Sequence, residues 1–318
     1  MLKGDDYKYK NLTKTMIVIW SLIALALIAL LVYGVSSGKQ IWNGFGIRNL
    51  ENESLTVQKK DSASIDEVNK IKVDFGSAYV EIISTDNSNV EVVQSANRKL
   101  RENEKFTMSK EGDTISIKNN KLHFGFGFLN FNSNEKIEVY IPKNYNKDLS
   151  VNLASGDIDI NTDLTLNDVS YTQSSGDFNS NGNITANEIL LKSTSGDIKI
   201  NEIDVKSYDI DQVSGDTEIK SLSGSGKIKD ISGGLKIYYK DINDYSDLNV
   251  VSGDVKLFIP KDISFQFDGK CISGDINSNF DINYKDKKGE SASAKVGDGP
   301  YKKISVNSTS GDIDINRK

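Results

Sequence analysis

Seven aspartates stand at one register of this chain, each directly after a Ser-Gly pair: Asp157, Asp177, Asp197, Asp216, Asp254, Asp275 and Asp312. Carboxylates repeated at a fixed spacing could bind calcium, as glycine–aspartate nonapeptide repeats do. The turn here lacks that nonapeptide and its glycine density. Like charges about 5 Å apart in water repel by only about 0.8 kcal/mol before salt screening, so an exposed file of them needs no metal. Aspartate also bonds nearby backbone N–H groups in turns, and Gly234 replaces it midway. The units therefore read as a structural turn ladder, made by these aspartates with Gly156, Gly176, Gly196, Gly215, Gly253, Gly274 and Gly311.

A second polar file, Lys199, Glu218, Lys236 and Lys256, could line a carbohydrate-processing face. Opposite charges on neighbouring strands are, however, what a solvated sheet uses anyway, and no isolated pair of carboxylates stands out as acid and base. With one cysteine, Cys271, and one histidine, His123, the chain lacks the inventory for a zinc site, a redox pair or thiolate–imidazole catalysis. No catalytic residue, cofactor or metal is expected. Cys271 reads as a packed small residue. The least repeat-like stretch is Leu122–Phe131, where Phe124, Phe126 and Phe128 share one face of a strand and Phe131 follows. It is expected to close a flank of the fold, or else to expose an aromatic contact patch.

The elements that position these residues follow from the repeat. Ser-Gly turns begin at Ser155, Ser175, Ser195, Ser214, Ser232, Ser252, Ser273 and Ser310, so successive spacings are 20, 20, 19, 18, 20, 21 and 37. The last spacing reads as two periods with one degenerate turn. Such periods signal stacked repeats. After each turn, apolar and polar residues alternate, as in Ile158-Asp159-Ile160 and Ile198-Lys199-Ile200. Four residues before each Ser there is usually another apolar side chain, such as Val151, Tyr171 or Ile210. This is the period of half-buried strands, and turn residues leave no room for a helix. The expected fold class is all-β, a parallel β-helix (solenoid) of ~20-residue coils, right-handed by the usual rule for parallel crossovers.

Asn161, Asn181, Asn201, Asn279 and Asn316 suit a coil corner. Weaker matches reach back to Glu111-Gly112-Asp113 and to Gly76, which makes room for about twelve coils and a length on the order of 55 Å. Ile137–Lys143 and Val255–Lys261 form a longer duplication, each ending in Ile-Pro-Lys. The last coil is expected to leave an open edge, with Arg317 and Lys318 as gatekeeping charges.

Met16–Val35 is an uncharged, nearly all-apolar run, long enough as a helix to cross about 30 Å of hydrocarbon. Trp20 and Tyr33 lie toward its ends. Lys3, Lys8, Lys10 and Lys14 precede it, against Lys39 and Arg48 in the twenty residues that follow, which predicts an N-terminus inside. The run exceeds a usual signal-peptide core, so a retained anchor is expected rather than cleavage after Gly34 or Ser36. The expected organisation is a cytoplasmic tail over 1–14, a transmembrane helix over 15–35, a linker over 36–63 and an extracytoplasmic β-solenoid over 64–318. The net charge is −6, and the first 35 residues carry four Lys and two Asp, so the remainder stands at −8. Nucleic acid and anionic lipid surfaces are poor partners for it.

The opening Ile71-Lys72-Val73-Asp74-Phe75-Gly76, the I-x-V-x-I-P strands and the repeated S-G-D-I-x-I turns resemble a bacterial family of adhesin-like β-strand-repeat proteins of unknown function, including the LiaG-like envelope proteins. The resemblance covers roughly residues 65 to 318. It implies an exported, commonly membrane-anchored solenoid with a role in adhesion or envelope stress, and it supplies no catalytic residues. The expected function is non-enzymatic: a rigid solenoid anchored in the bacterial cytoplasmic membrane and contacting an envelope protein or cell-wall component. The alternatives are an accessory to an envelope-stress sensor, acting through Met16–Val35, and a carbohydrate-active β-helix enzyme.

Overall fold

The computed structural model describes residues 55–119, 135–285 and 290–318, all within one compact unit over 54–318. Met16–Val35, His123 and the phenylalanines of 122–131 lie outside the described residues. Among those described, no helix is long and apolar enough to cross a membrane.

The unit is all-β. Its first part contains β1 (Thr56–Ser64), β2 (Lys70–Ser77), β3 (Tyr79–Thr85), β4 (Asn89–Ala96), β5 (Phe106–Glu111), β6 (Thr114–Asn119) and β7 (Glu135–Pro142). The middle contains β8 (Asp148–Ser155), β9 (Ile158–Ile160), β10 (Leu164–Thr165), β11 (Asp168–Ser175), β12 (Phe178–Ser193), β13 (Ile198–Ser214), β14 (Thr217–Ser232), β15 (Leu235–Ser252) and β16 (Val255–Ile259). The last part contains β17 (Phe265–Ser273), β18 (Ile276–Ser278), β19 (Asn283–Tyr284), β20 (Ser291–Val296), β21 (Lys302–Ser310) and β22 (Ile313–Arg317).

The coils stack in parallel with the register expected from the repeat. Ile158, Phe178, Ile198, Thr217, Leu235 and Val255 are successive cross-strand partners, all buried. On the leg before the corner, Val151, Tyr171, Leu191, Ile210, Ile228 and Leu248 form a second inward ladder. Each buried aliphatic side chain contributes about 1.5–3 kcal/mol of transfer free energy, and the alternation along each strand is what directs it inward.

Spatial order departs from chain order at both ends. The coil of β2 and β3 lies between the coil of β6 and β7 and that of β8 and β9. At the other end, the coil of β21 and β22 lies between β15–β16 and β17–β18. Twice, therefore, the chain steps over one layer, and a segment distant in sequence fills the place. The steps follow the duplicated Ile137–Pro142 and Val255–Pro260 strands. In each the proline carbonyl accepts from the third residue on, Tyr145 N–H at 2.9 Å and Ile263 N–H at 3.2 Å.

The stack has ten coils among the described residues rather than about twelve, because β1, β4, β5, β19 and β20 pair antiparallel and add no coil. Glu111-Gly112-Asp113 is no solenoid corner. It is the tight turn of the antiparallel β5–β6 hairpin, where Gly112 supplies a φ of +61°. Ser77-Ala78 rather than Gly76 matches Ser155-Gly156. The stretch after Gly274 is not a degenerate coil, since β20 turns back antiparallel onto β17 and β19 pairs with β20. The C-terminal strand is not an open edge either: β22 pairs with β16 on one side and β18 on the other. Thr56–Ser64, placed in a linker by the sequence reading, is a strand antiparallel to β4, with a bulge between Val57 and Lys59. Antiparallel strands, bulges and edge lysines discourage further stacking.

Candidate interaction surface

The Ser-Gly corner is built by backbone contact that only glycine permits. Gly196 has a φ of +116°, and a Cβ on it would overlap the carbonyl oxygen of Gly176. The turn glycines stack in the order Gly156, Gly176, Gly196, Gly215, Gly233, Gly253, Gly311, Gly274.

The aspartates beside them are committed to the stack. Asp157 Oδ1 accepts from the Asp177 N–H at 2.9 Å, Asp177 Oδ1 from the Asp197 N–H at 2.9 Å, and Asp197 Oδ1 from the Asp216 N–H at 3.1 Å. Asp216 Oδ1 accepts from the Gly234 N–H at 2.8 Å, where the file breaks for want of a carboxylate. It resumes with Asp254 accepting from the Asp312 N–H at 3.0 Å and Asp312 from the Asp275 N–H at 2.9 Å. The Asp216 N–H, and then Lys199, hold the Asp197 carboxyl below its ordinary value. Burial raises that of Asp157, against the Asp177 N–H.

The second polar file also falls into register, Lys199 beside Glu218, Lys236 and Lys256 in turn, with Lys236 and Glu218 paired at 2.9 Å. Asn181 donates to Asn161 at 2.7 Å on the same side of the corner. Cys271 is buried and donates to the Gly311 carbonyl at 3.1 Å, and burial raises its thiol. Phe124, Phe126, Phe128 and Phe131 lie outside the described residues, so this site is built from other groups.

One exposed apolar feature emerges that the sequence reading did not single out. The residue directly before each Ser points outward. In the coils toward β17 it is Val213, Ile231, Val251 and Ile272, which are 40%, 49%, 49% and 60% exposed. Thr309 completes the file between Val251 and Ile272. Toward β8 the same position holds Ala154, Ser174 and Thr194. The stripe runs along the stack for about 20 Å at the strand spacing, and Lys229, Asn249, Asn307 and Lys270 line the shallow groove beside it. The signal was available: alternation places the second residue before Ser inward, so the next must face solvent.

Several solved structures are similar to this chain. A "putative lipid binding protein" from Parabacteroides distasonis is 16% identical with a TM-score of 0.48, over 82% of this chain and 96% of that one. A "putative adhesin" from Bacteroides fragilis is 14% identical with a TM-score of 0.43, over 83% and 98%. A "putative cell adhesion protein" from Clostridium sporogenes is 13% identical with a TM-score of 0.33, over 83% and 100%. No curated protein matches the chain. A family model described as Toastrack DUF4097 matches residues 68–316, which takes in nearly the whole stack of coils, and the chain belongs to that family.

Proposed function

We propose that this protein is a non-enzymatic component of the bacterial cell envelope. Met16–Val35 anchors it in the cytoplasmic membrane with its N-terminus inside, and the solenoid meets an envelope protein through the Val213–Ile272 stripe. The carrying observation is that four aliphatic side chains stand exposed in one file, while Asp216, Asp254 and Asp312 of the adjoining corners accept N–H groups that hold coils together. Four side chains are far short of the roughly 800 Å² per partner of a standard stable complex, so the stripe suits a modest, reversible contact.

The test is capture from envelope extract by the full chain in detergent, comparing the natural sequence with an Ile231→Asp/Ile272→Asp variant. Loss of a discrete protein partner in the variant, with melting unchanged, is the expected result. Equal capture by both proteins removes the stripe from the reading. Binding to purified cell wall alone replaces the protein partner with a wall polymer. Turnover of wall glycan or peptide, abolished by one substitution, overturns the non-enzymatic reading altogether.

A further inference from the structure

Inside the corner runs a file of side chains two residues before each Ser. Gln173, Ser193, Gln212 and Asp230 are successive partners, followed by Val250, Ser308 and Cys271, all buried. At three of these seven positions the side chain donates a hydrogen bond to the turn glycine of an adjacent coil, whereas Val250 has no donor and Ser308 Oγ is unpartnered. Gln173 Nε2 donates to the Gly156 carbonyl at 2.8 Å, Gln212 Nε2 to that of Gly196 at 2.5 Å, and Cys271 Sγ to that of Gly311 at 3.1 Å. By register, the position equivalent to those acceptors beside Asp230 is held by the Gly215 carbonyl.

An ionised aspartate cannot fill that role, because it only accepts. Asp230 is 1% exposed; neither of its carboxyl oxygens has a partner in full hydrogen-bond geometry, and the Ser232 N–H, two residues on, is the one donor directed toward them. Two neighbouring polar atoms are unsatisfied as well. Gln212 directs its amide nitrogen at the Gly196 and Ser214 carbonyls, which leaves Oε1 buried and unpartnered. Thr217 Oγ1, the first inward atom after the same corner, is also unpartnered. Unpartnered polar atoms in an apolar bore are costly, and a carboxyl that keeps its proton carries far less of that cost than an ionised one.

We propose that Asp230 is a proton-binding site built into the stack: its carboxyl stays protonated in the folded chain and donates to the Gly215 carbonyl, as Gln173 and Gln212 do in their coils. Ionisation removes that donor and strands a charge between the coil of Ser207–Gly224 and that of Gly226–Ile242. The charged surroundings offer it little relief. From the coil below, Asp216 is like-charged. Asp211 of that coil pairs with Lys229 on the outer face, at 3.6 Å. The coil above contributes Val250 inward and Asp254 at the exposed corner. Burial, reinforced by Asp216 and opposed by the Ser232 N–H, raises the carboxyl to about 6. A raised acid binds its proton more tightly folded than unfolded. The penalty of ionising it is absent below the ordinary value of 3.8 and fully present above about 6.

The experiment follows melting of the full chain in detergent from pH 4 to pH 8, natural sequence against Asp230→Asn, which keeps shape and supplies a permanent donor. The variant is expected to gain on the natural protein as pH rises, by about 5 °C between pH 4 and pH 7.5, with no further change above. A difference independent of pH overturns the proposal. So does its cancellation at pH 8 by added sodium or calcium chloride, which would assign the oxygens to a cation instead. Should the variant not fold, carboxyl-carbon resonances of labelled aspartates decide: one titrating near pH 6 is expected, and none above pH 5 overturns the proposal.

Discussion

At the scale of single residues, the corner separates groups that hold the stack from groups that face outward. Gly196 combines a positive φ with a carbonyl where its Cβ would sit, so neither backbone nor neighbour can yield cheaply. Gly196→Ala is expected to cost about 2–4 kcal/mol in urea unfolding. Asp177 differs, because its task is to accept one N–H from Asp197. Asp177→Asn retains an acceptor and is expected to stay within about 0.5 kcal/mol of the natural protein, whereas Asp177→Ala loses about 1–2 kcal/mol. Equal losses for both would show that the carboxylate charge, rather than the hydrogen bond, is what counts. Asp197 adds a pH term of known sign. The Asp216 N–H, with Lys199, lowers its carboxyl. The stability it lends is therefore present above its ordinary value of 3.8 and lost as pH falls below it. Asp197→Asn should flatten that part of the acid unfolding curve.

At the scale of elements, the long strands β12 to β15 each run from one Ser-Gly corner to the next, whereas the ends depend on segments brought in from afar. The coil of β21 and β22 has β15 and β16 on one side and β17 and β18 on the other. Removing Lys302–Lys318 therefore opens a gap within the stack instead of shortening it. Truncation at Tyr301 should expose β15–β18 to proteolysis and hydrogen exchange, while β11 to β13 stay protected. If the truncated chain kept full protection at β17, the filled-gap arrangement would be wrong. The same logic applies at the opposite end, where β2 and β3 fill the place beside β8 and β9.

At the scale of the whole molecule, the exposed stripe and the inner polar file lie on opposite sides of the same backbone leg. Ile231 faces solvent and Asp230, the residue before it, faces the bore. Partner capture and pH response should therefore separate cleanly: Ile231→Asp/Ile272→Asp alters the first alone, and Asp230→Asn the second alone.

The amino-acid sequence by itself determined the all-β class, the parallel register, the aliphatic ladders and the corner glycines, because each rests on a local period of two nested in a repeat near twenty. Alternation also encodes the stripe at Val213–Ile272, since a residue that follows an inward one must face solvent. What only the tertiary structure decided was the order of the coils at the ends and the partners of the aspartates. Glu111-Gly112-Asp113 looks like a corner in sequence because a hairpin turn and a coil corner both call for glycine at positive φ. Only long-range pairing tells them apart. Six of the seven ladder aspartates accept an N–H group from the adjacent coil, and Asp275, at the end of the file, gives its own N–H to Asp312. Asp230, in no motif at all, lies in the bore because its strand continues the alternation of its neighbours.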